Sequence, residues 1–266
     1  MTTMSHTVTD SATMLRRSLR HIVRYPSMTL MLVGMPIMFL LLFVYVFGGT
    51  LGAGLGPGTG ASSGRAGYAN YVAPGILLMT VAAAAQGTAI SVAMDMTGGI
   101  IARFRTMAIA RTSVLTGHVL GSMIQTLLSL AIVIGAALAV GFRPSAGPVR
   151  WIAAIALLAL TTLALTWLSV ALGLVSKSVE TASNLPMFLV ILPFLGSGFV
   201  PTESMPTWLA WFARYQPFTP VIETLRGLLL GKPIGDNAIL AVAWGLTITV
   251  LAYLWAKRLF NRPPAS

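Results

Sequence analysis

An all-α integral membrane protein with six transmembrane helices is the fold class this sequence predicts, on three observations. Only 9% of its residues are charged against 56% apolar, far below the roughly 25% charged residues of soluble domains. Six stretches contain no Asp, Glu, Lys or Arg: Met28–Gly48, Tyr71–Met94, Thr112–Phe142, Trp151–Ser176, Thr181–Thr202 and Asn237–Ala256. Each reaches the length of about 20 residues that a helix needs to cross a hydrocarbon core of about 30 Å at about 1.5 Å per residue. Finally, runs such as LMLVGMPIMFLLLFVYVF do not alternate, which excludes the strands of roughly ten alternating residues that build membrane β-barrels.

Taken in chain order, the first element is basic and amphipathic. In residues 12–24, ATMLRRSLRHIVR, Leu15, Leu19, Ile22 and Val23 share one arc and Arg16, Arg17, Arg20 and Arg24 the other. This predicts a helix lying flat on the inner leaflet, its arginines toward lipid phosphates. Tyr25-Pro26 turns the chain into the first span, whose apolar run is too long for a cleaved signal. The chain therefore divides into a cytoplasmic N-terminus (1–27), a six-span domain (28–262) and a short tail (263–266). After the first span, GGTLGAGLGPGTGASSGRAG at 48–67 reads as a flexible external loop. It lacks the preceding strand and the lysine that a phosphate-cradling glycine loop requires.

Between the second and third spans lies DMTGGIIARFRTMAIARTS, residues 95–113, in which apolar residues alternate loosely with Arg103, Arg105 and Arg111. Composition leaves two readings of it open, a short amphipathic cytoplasmic helix and a solvated basic loop. SKSVETAS, between the fourth and fifth spans, is too short to hold a domain. The fifth span contains Pro186 and Pro193 and ends near a Gly-Ser-Gly at 196–198, so a kink or a shortening is expected. Residues 201–236 then separate it from the sixth span. Within them Met205, Trp208, Leu209 and Phe212 recur at helical spacing after Pro206, and PVIETLRGLLLG follows, predicting two short external helices that dip into the outer leaflet. Irregular backbone at that depth must be buried in protein. Glu203 reads as a loop or helix-start acid rather than a transport carboxylate.

Charge fixes the expected orientation. With both termini cytoplasmic, eleven Lys and Arg fall on inside segments and six on outside loops, of seventeen in all, which the positive-inside rule favours. The net charge of +11 is then a topology signal and an attraction to anionic lipid, not a nucleic-acid footprint. No cysteine is present, so neither disulfides nor thiolate metal sites arise, and His6, His21 and His118 form no recognisable ligand set. The spans hold no paired carboxylates and no serine-hydrolase pattern, so no catalytic site is expected. Nor do they bury the acids on which ion-coupled carriers depend. Gln86, His118 and Gln125 are the polar residues in or near spans that could line a path; interhelical hydrogen bonding is their plainer role. GLLLGKP is not a nucleotide-binding loop, since three residues separate its glycines and Pro follows Lys.

Two stretches together resemble the permease subunits of type-2 ABC exporters, in the daunorubicin-resistance-like branch. One is DMTGGIIARFRTMAIARTSVLTGHVL, similar to that family's cytoplasmic loop. The other, more specific, is GSGFVPTESMPTWLAWFARYQPFTPVIETLRGLLLG, similar to its external signature. The pattern departs at Ala108, where Pro is often found, at His118, where Arg is common, and at Gly121-Ser122, where Ala-Asp is frequent.

The resemblance implies a permease that pairs with a second permease chain, as homodimer or heterodimer, and with two ATPase subunits that bind ATP and Mg. It implies that residues 98–111 form a coupling helix seated on the ATPase, with Gly99, Arg103, Phe104, Arg105 and Arg111 in that region. It places Phe199, Pro201, Glu203, Pro206, Trp208, Leu209, Pro217, Thr219, Glu223 and Arg226 in an external gate. Export of an amphipathic small molecule, drug or lipid across the cytoplasmic membrane is the activity it implies. The alternatives carried with it are export of a polysaccharide or lipid-linked glycan by the same fold, and an ATP-independent carrier or channel.

Overall fold

The structure, a computed structural model, describes residues 26–54, 64–98 and 111–260. The expected interfacial helix at 12–24 lies outside the described residues, as do Gly99, Arg103, Phe104 and Arg105. Helices dominate, and no strand occurs among the described residues. We label them α1 (Pro26–Leu41), α2 (Gly48–Gly54), α3 (Arg65–Thr97), α4 (Arg111–Val140), α5 (Pro148–Val175), α6 (Val179–Asn184), α7 (Met187–Ile191), α8 (Thr207–Tyr215), α9 (Phe218–Leu230) and α10 (Asn237–Phe260).

Five of the helical stretches are long and apolar enough to cross a membrane: Leu32–Ala53, α3, Leu115–Val140 of α4, α5 and α10. The first contains Pro36, which cannot donate a backbone bond, and widens into a π-helical turn at Leu42–Phe47, a distortion that recurs at functional positions. The expected fifth span, 181–202, is built differently. It consists of α6 and α7, interrupted at Leu185-Pro186, and then a run of turns from 192 to 199 that contains Pro193. Both prolines stand where a backbone donor would otherwise continue the helix.

α3 is the centre of the bundle. It packs on α1, α4, α5, α6, α7 and α9, and its most apolar stretch is 72% buried against 17% for that of α10. Its small residues permit this, because glycine and alanine let neighbouring backbones approach closely. A Cβ on Gly75 would lie 2.6 Å from the Gly198 carbonyl oxygen, and one on Gly173 of α5 would lie 2.7 Å from that of Ala89. The outer helices show apolar side chains on their free faces, such as Ile239 and Leu251 of α10 and Leu30 and Met38 of α1, as lipid contact requires.

The short connections are capped from within. The link between α4 and α5 turns at Gly141, whose φ is 120°, and Pro148 opens α5 at a position whose N–H has no helical partner. Arg143 Nη1 donates to the Leu138 carbonyl at 2.6 Å, satisfying a last-turn carbonyl of α4. Ser178 caps α6, accepting from the Thr181 N–H at 3.2 Å, with Glu180 in the first turn, where its charge suits the helix dipole.

The irregular segment from α6 to residue 199 runs antiparallel to α3. Gln86 Nε2 donates to the Ser183 carbonyl at 2.8 Å near one end, and Tyr68 Oη donates to the Phe199 carbonyl at 3.1 Å near the other. Those two α3 residues are eighteen apart, about 27 Å along a helix rising about 1.5 Å per residue.

Candidate functional site

The turns at 192–199 leave carbonyls that no helix satisfies, and buried backbone oxygens without partners are costly. Three carbonyls of the stretch accept from side chains, that of Leu192 in addition to the Leu195 N–H at 3.1 Å. Gln216, in the turn between α8 and α9, donates through Nε2 to the Leu192 carbonyl at 3.0 Å. Arg226 of α9 donates through Nη2 to that of Ser197 at 2.8 Å, and Tyr68 of α3 serves Phe199. Thr219 joins the set by accepting at Oγ1 from the Ser197 N–H at 3.3 Å and from Gln216 Nε2 at 3.4 Å. An unwound stretch is thus held by donors from α3, α9 and the turn before α9.

Arg226 is the centre of this clamp. Thr219, Glu223 and Arg226 follow at i, i+4 and i+7 and so share one face of α9. The arginine is 3% exposed. Its Nη1 pairs with Glu223 Oε1 at 2.5 Å, its Nη2 also donates to the Tyr71 carbonyl at 3.0 Å, and its guanidinium lies 3.9 Å from the Tyr71 ring centroid. Removing a guanidinium from water costs several kcal/mol unless it is paired and fully bonded. Here one carboxylate, two carbonyls and an aromatic face offset that cost. Arg226 Nε, Ser197 Oγ and Gln216 Oε1 have no protein partner among the described residues. Beyond the end of α9, burial holds the Lys232 ammonium below its ordinary range; the nearby Arg226 charge pushes the same way, and Glu223 partly opposes it.

Phenylalanines of the break pack against those of the first span. Phe194 and Phe199 stack at 4.3 Å between centroids and 8° between planes. Phe43, within the π-helical turn, lies 4.6 Å from Phe199, and Phe39 meets Phe194 edge-on at 5.6 Å. The two distorted segments of the bundle therefore pack on each other. Glycine is needed here for space: a Cβ on Gly196 would strike the Gln216 amide.

The residues singled out from sequence divide in two. Phe199, Thr219, Glu223 and Arg226 converge on the break. Pro201 and Pro217 are half-buried at the starts of the 3-10 turn Thr202–Ser204 and of α9. Glu203 and Pro206 are exposed, and Glu203 accepts from its neighbour Thr202, at 3.3 Å, in that turn. Trp208 is 74% exposed and Trp211 67%, while Leu209 is half-buried and Ala213 fully buried. α8 thus packs through Leu209 and Ala213 and turns its tryptophans outward. Tyr68, Tyr71, Ser197 and Gln216 were not singled out from sequence. Of these only Gln216, a lone amide between two apolar helices, carried a signal.

The three polar path candidates do not meet in one site. Gln86 bonds the Ser183 carbonyl, whereas His118 Nε2 stands 3.0 Å from Asp95 Oδ2. Gln86 and Asp95 are nine residues apart on α3, which at about 100° per residue puts them on opposite faces. Gln125 is half-buried on α4. Arg111 opens α4. Among the described residues no group of three His, Cys, Asp or Glu is placed to hold a metal.

Comparison with known proteins bears on the whole arrangement. Residues 10–230 match the family described as ABC-2 type transporter. Over 165 residues the chain is 27% identical to the daunorubicin resistance ABC transporter permease protein DrrB1 of Streptomyces coeruleorubidus, covering 62% of this chain and 58% of that one. Over 177 residues it is 25% identical to the probable doxorubicin resistance ABC transporter permease protein DrrC of Mycobacterium tuberculosis, covering 65% and 64%. A similarity of 28% over 194 residues to ABC transporter G family member 20 of Dictyostelium discoideum covers 70% of this chain and 25% of that one. The chain thus matches about three fifths of the length of its permease relatives.

Proposed function

The chain belongs to the ABC-2 type transporter family, as a permease of the daunorubicin-resistance-like branch, and we propose that it is the membrane subunit of an ATP-driven exporter of amphipathic small molecules, drugs or lipids. The observation that carries this reading is the family match across residues 10–230. In this proposal a separate ATPase, in two copies, binds ATP and Mg, a second permease chain completes the pathway, and residues 98–111 seat on the ATPase. The clamped break at 192–199, with Phe194 and Phe199 stacked within it, is the external gate. Its fixed hydrogen bonds and close packing suit a closed plug, and α8 lies above it with Trp208 and Trp211 in the outer interfacial belt.

The segment 179–199 completes a sixth crossing in this reading. It is supported by the two contacts spaced about 27 Å along α3, close to the thickness of a hydrocarbon core of about 30 Å. An even number of crossings returns both termini to one side, and the excess of Lys and Arg assigns that side to the cytoplasm.

The test uses daunorubicin, the compound in the name of the Streptomyces relative, with inverted membrane vesicles carrying this chain and a co-expressed ABC ATPase. Accumulation that needs ATP and both chains is expected. Daunorubicin flux in liposomes holding this chain alone would instead favour an ATP-independent carrier.

A further inference from the structure

We propose that the Asp95–His118 pair is a positioning contact that ties the feet of α3 and α4 together, so that a displacement of the connection between them reaches both helices as one movement. This rests on the reading of residues 98–111 as the coupling segment. Asp95 lies three residues before Gly98, where α3 ends, and His118 lies seven residues into α4, which begins at Arg111. Their side chains, each 19% exposed, meet at 3.0 Å. Unlike Arg226–Glu223, which lies within one helix, this pair joins two.

A second polar contact lies deeper on the same seam. Thr88 Oγ1 donates to Ser122 Oγ at 2.9 Å, and Thr88 and Asp95 are at i and i+7 on α3, as His118 and Ser122 are at i and i+4 on α4. Both spacings return to the same helix face. The α3–α4 seam is therefore pinned twice toward one end, and Asp95–His118 is the outer pin. Thr88 also bonds the Ala84 carbonyl of its own helix, so its link across the seam competes with a local one. The outer pair sets an imidazole nitrogen against a carboxylate oxygen, and a bond to an ionised acceptor is stronger than one between two hydroxyls. A force applied at residues 99–110 enters α3 and α4 through their adjoining ends. With the pin in place the ends move together; without it each helix can yield separately, and the movement is lost before it reaches the break.

The chain has no cysteine, so a spin-label pair can be placed by Met94→Cys and Leu120→Cys, both exposed positions. In the full permease in liposomes, the label-to-label distance is expected to be narrow in this background and broad in Asp95→Ala and in His118→Phe. When the permease is assembled with its ATPase, the same variants should lower permease-dependent ATP hydrolysis about fivefold or more, the scale of ordinary coupling energies. The exchange Asp95→His with His118→Asp should restore both readouts. His118→Arg, which keeps a donor toward the carboxylate, should retain both, even if the other variants fail to assemble. An unchanged distance distribution in Asp95→Ala, an assembled exchange variant that restores neither readout, or loss of both in His118→Arg would overturn the proposal. A wild-type chain that stimulates no ATPase removes the exporter reading instead, and the distance measurement still decides whether the pair fixes the two helix feet.

Discussion

Arg226 is the residue on which most of the external cluster depends. Truncating it strands the Glu223 carboxylate and the carbonyls of Tyr71 and Ser197. Arg226→Ala should therefore destabilise the protein by about 3 kcal/mol, the usual scale for breaking a buried pair, measured as thermal unfolding in detergent. Arg226→Lys should fall between, since an ammonium keeps the charge but cannot fork to two carbonyls while lying flat on a ring. Glu223→Gln should cost less than Arg226→Ala, because the Glu223 side chain is 32% exposed and water can replace part of its contact. Gly75 makes a second, purely steric case. A methyl there would press on the Gly198 backbone, which no rotamer change relieves, so Gly75→Ala should cost about 1–3 kcal/mol. A neutral result at Gly75 would mean that the break does not rest on α3 as described.

Among the elements, α8 gives the sharpest contrast between pattern and packing. Its periodicity announced an amphipathic helix, and the helix is there over Thr207–Tyr215. Its inward side, though, is Leu209 and Ala213, with the large aromatics turned out. Replacing Trp208 and Trp211 together by Ser should change unfolding by no more than about 0.5 kcal/mol per site, as surface positions do. Ala213→Leu should cost about 1–3 kcal/mol by overpacking, and the reverse ranking would mean the aromatic face is the buried one. The break shows the same division. Its place was legible in Pro186, Pro193 and the Gly-Ser-Gly, because these residues lack donors or side chains. What holds it was only partly legible. Arg226 and Thr219 stood out on a helix with clear spacing, whereas Tyr68 and Gln216 act on partners 131 and 24 residues away, distances that local pattern does not encode.

At the scale of the molecule, five of the expected spans appear as long apolar helices, yet hydropathy did not rank them. α3 and α10 read alike as apolar runs, although one is enclosed by protein and the other faces outward. In lipid the core and the exterior are both apolar, so hydrophobic periodicity loses the contrast that separates them in soluble domains. Small residues in α3 were the surviving clue. The absence of cysteine allows a direct check of orientation in intact cells. Trp208→Cys should react with a membrane-impermeant maleimide, and Met94→Cys should react only after permeabilisation; the opposite pattern would invert the topology. The donors of the clamp also set an order of events during synthesis. The carbonyls at 192–199 leave the ribosome before Gln216 and Arg226 have emerged from it, and an unpaired carbonyl in hydrocarbon costs several kcal/mol. On the proposed sixth crossing, this stretch is expected to stay sheltered in the translocon or against α3 until some thirty further residues have emerged. Chains arrested before Gln216 should be targets for membrane quality control, while chains arrested after α9 should escape it.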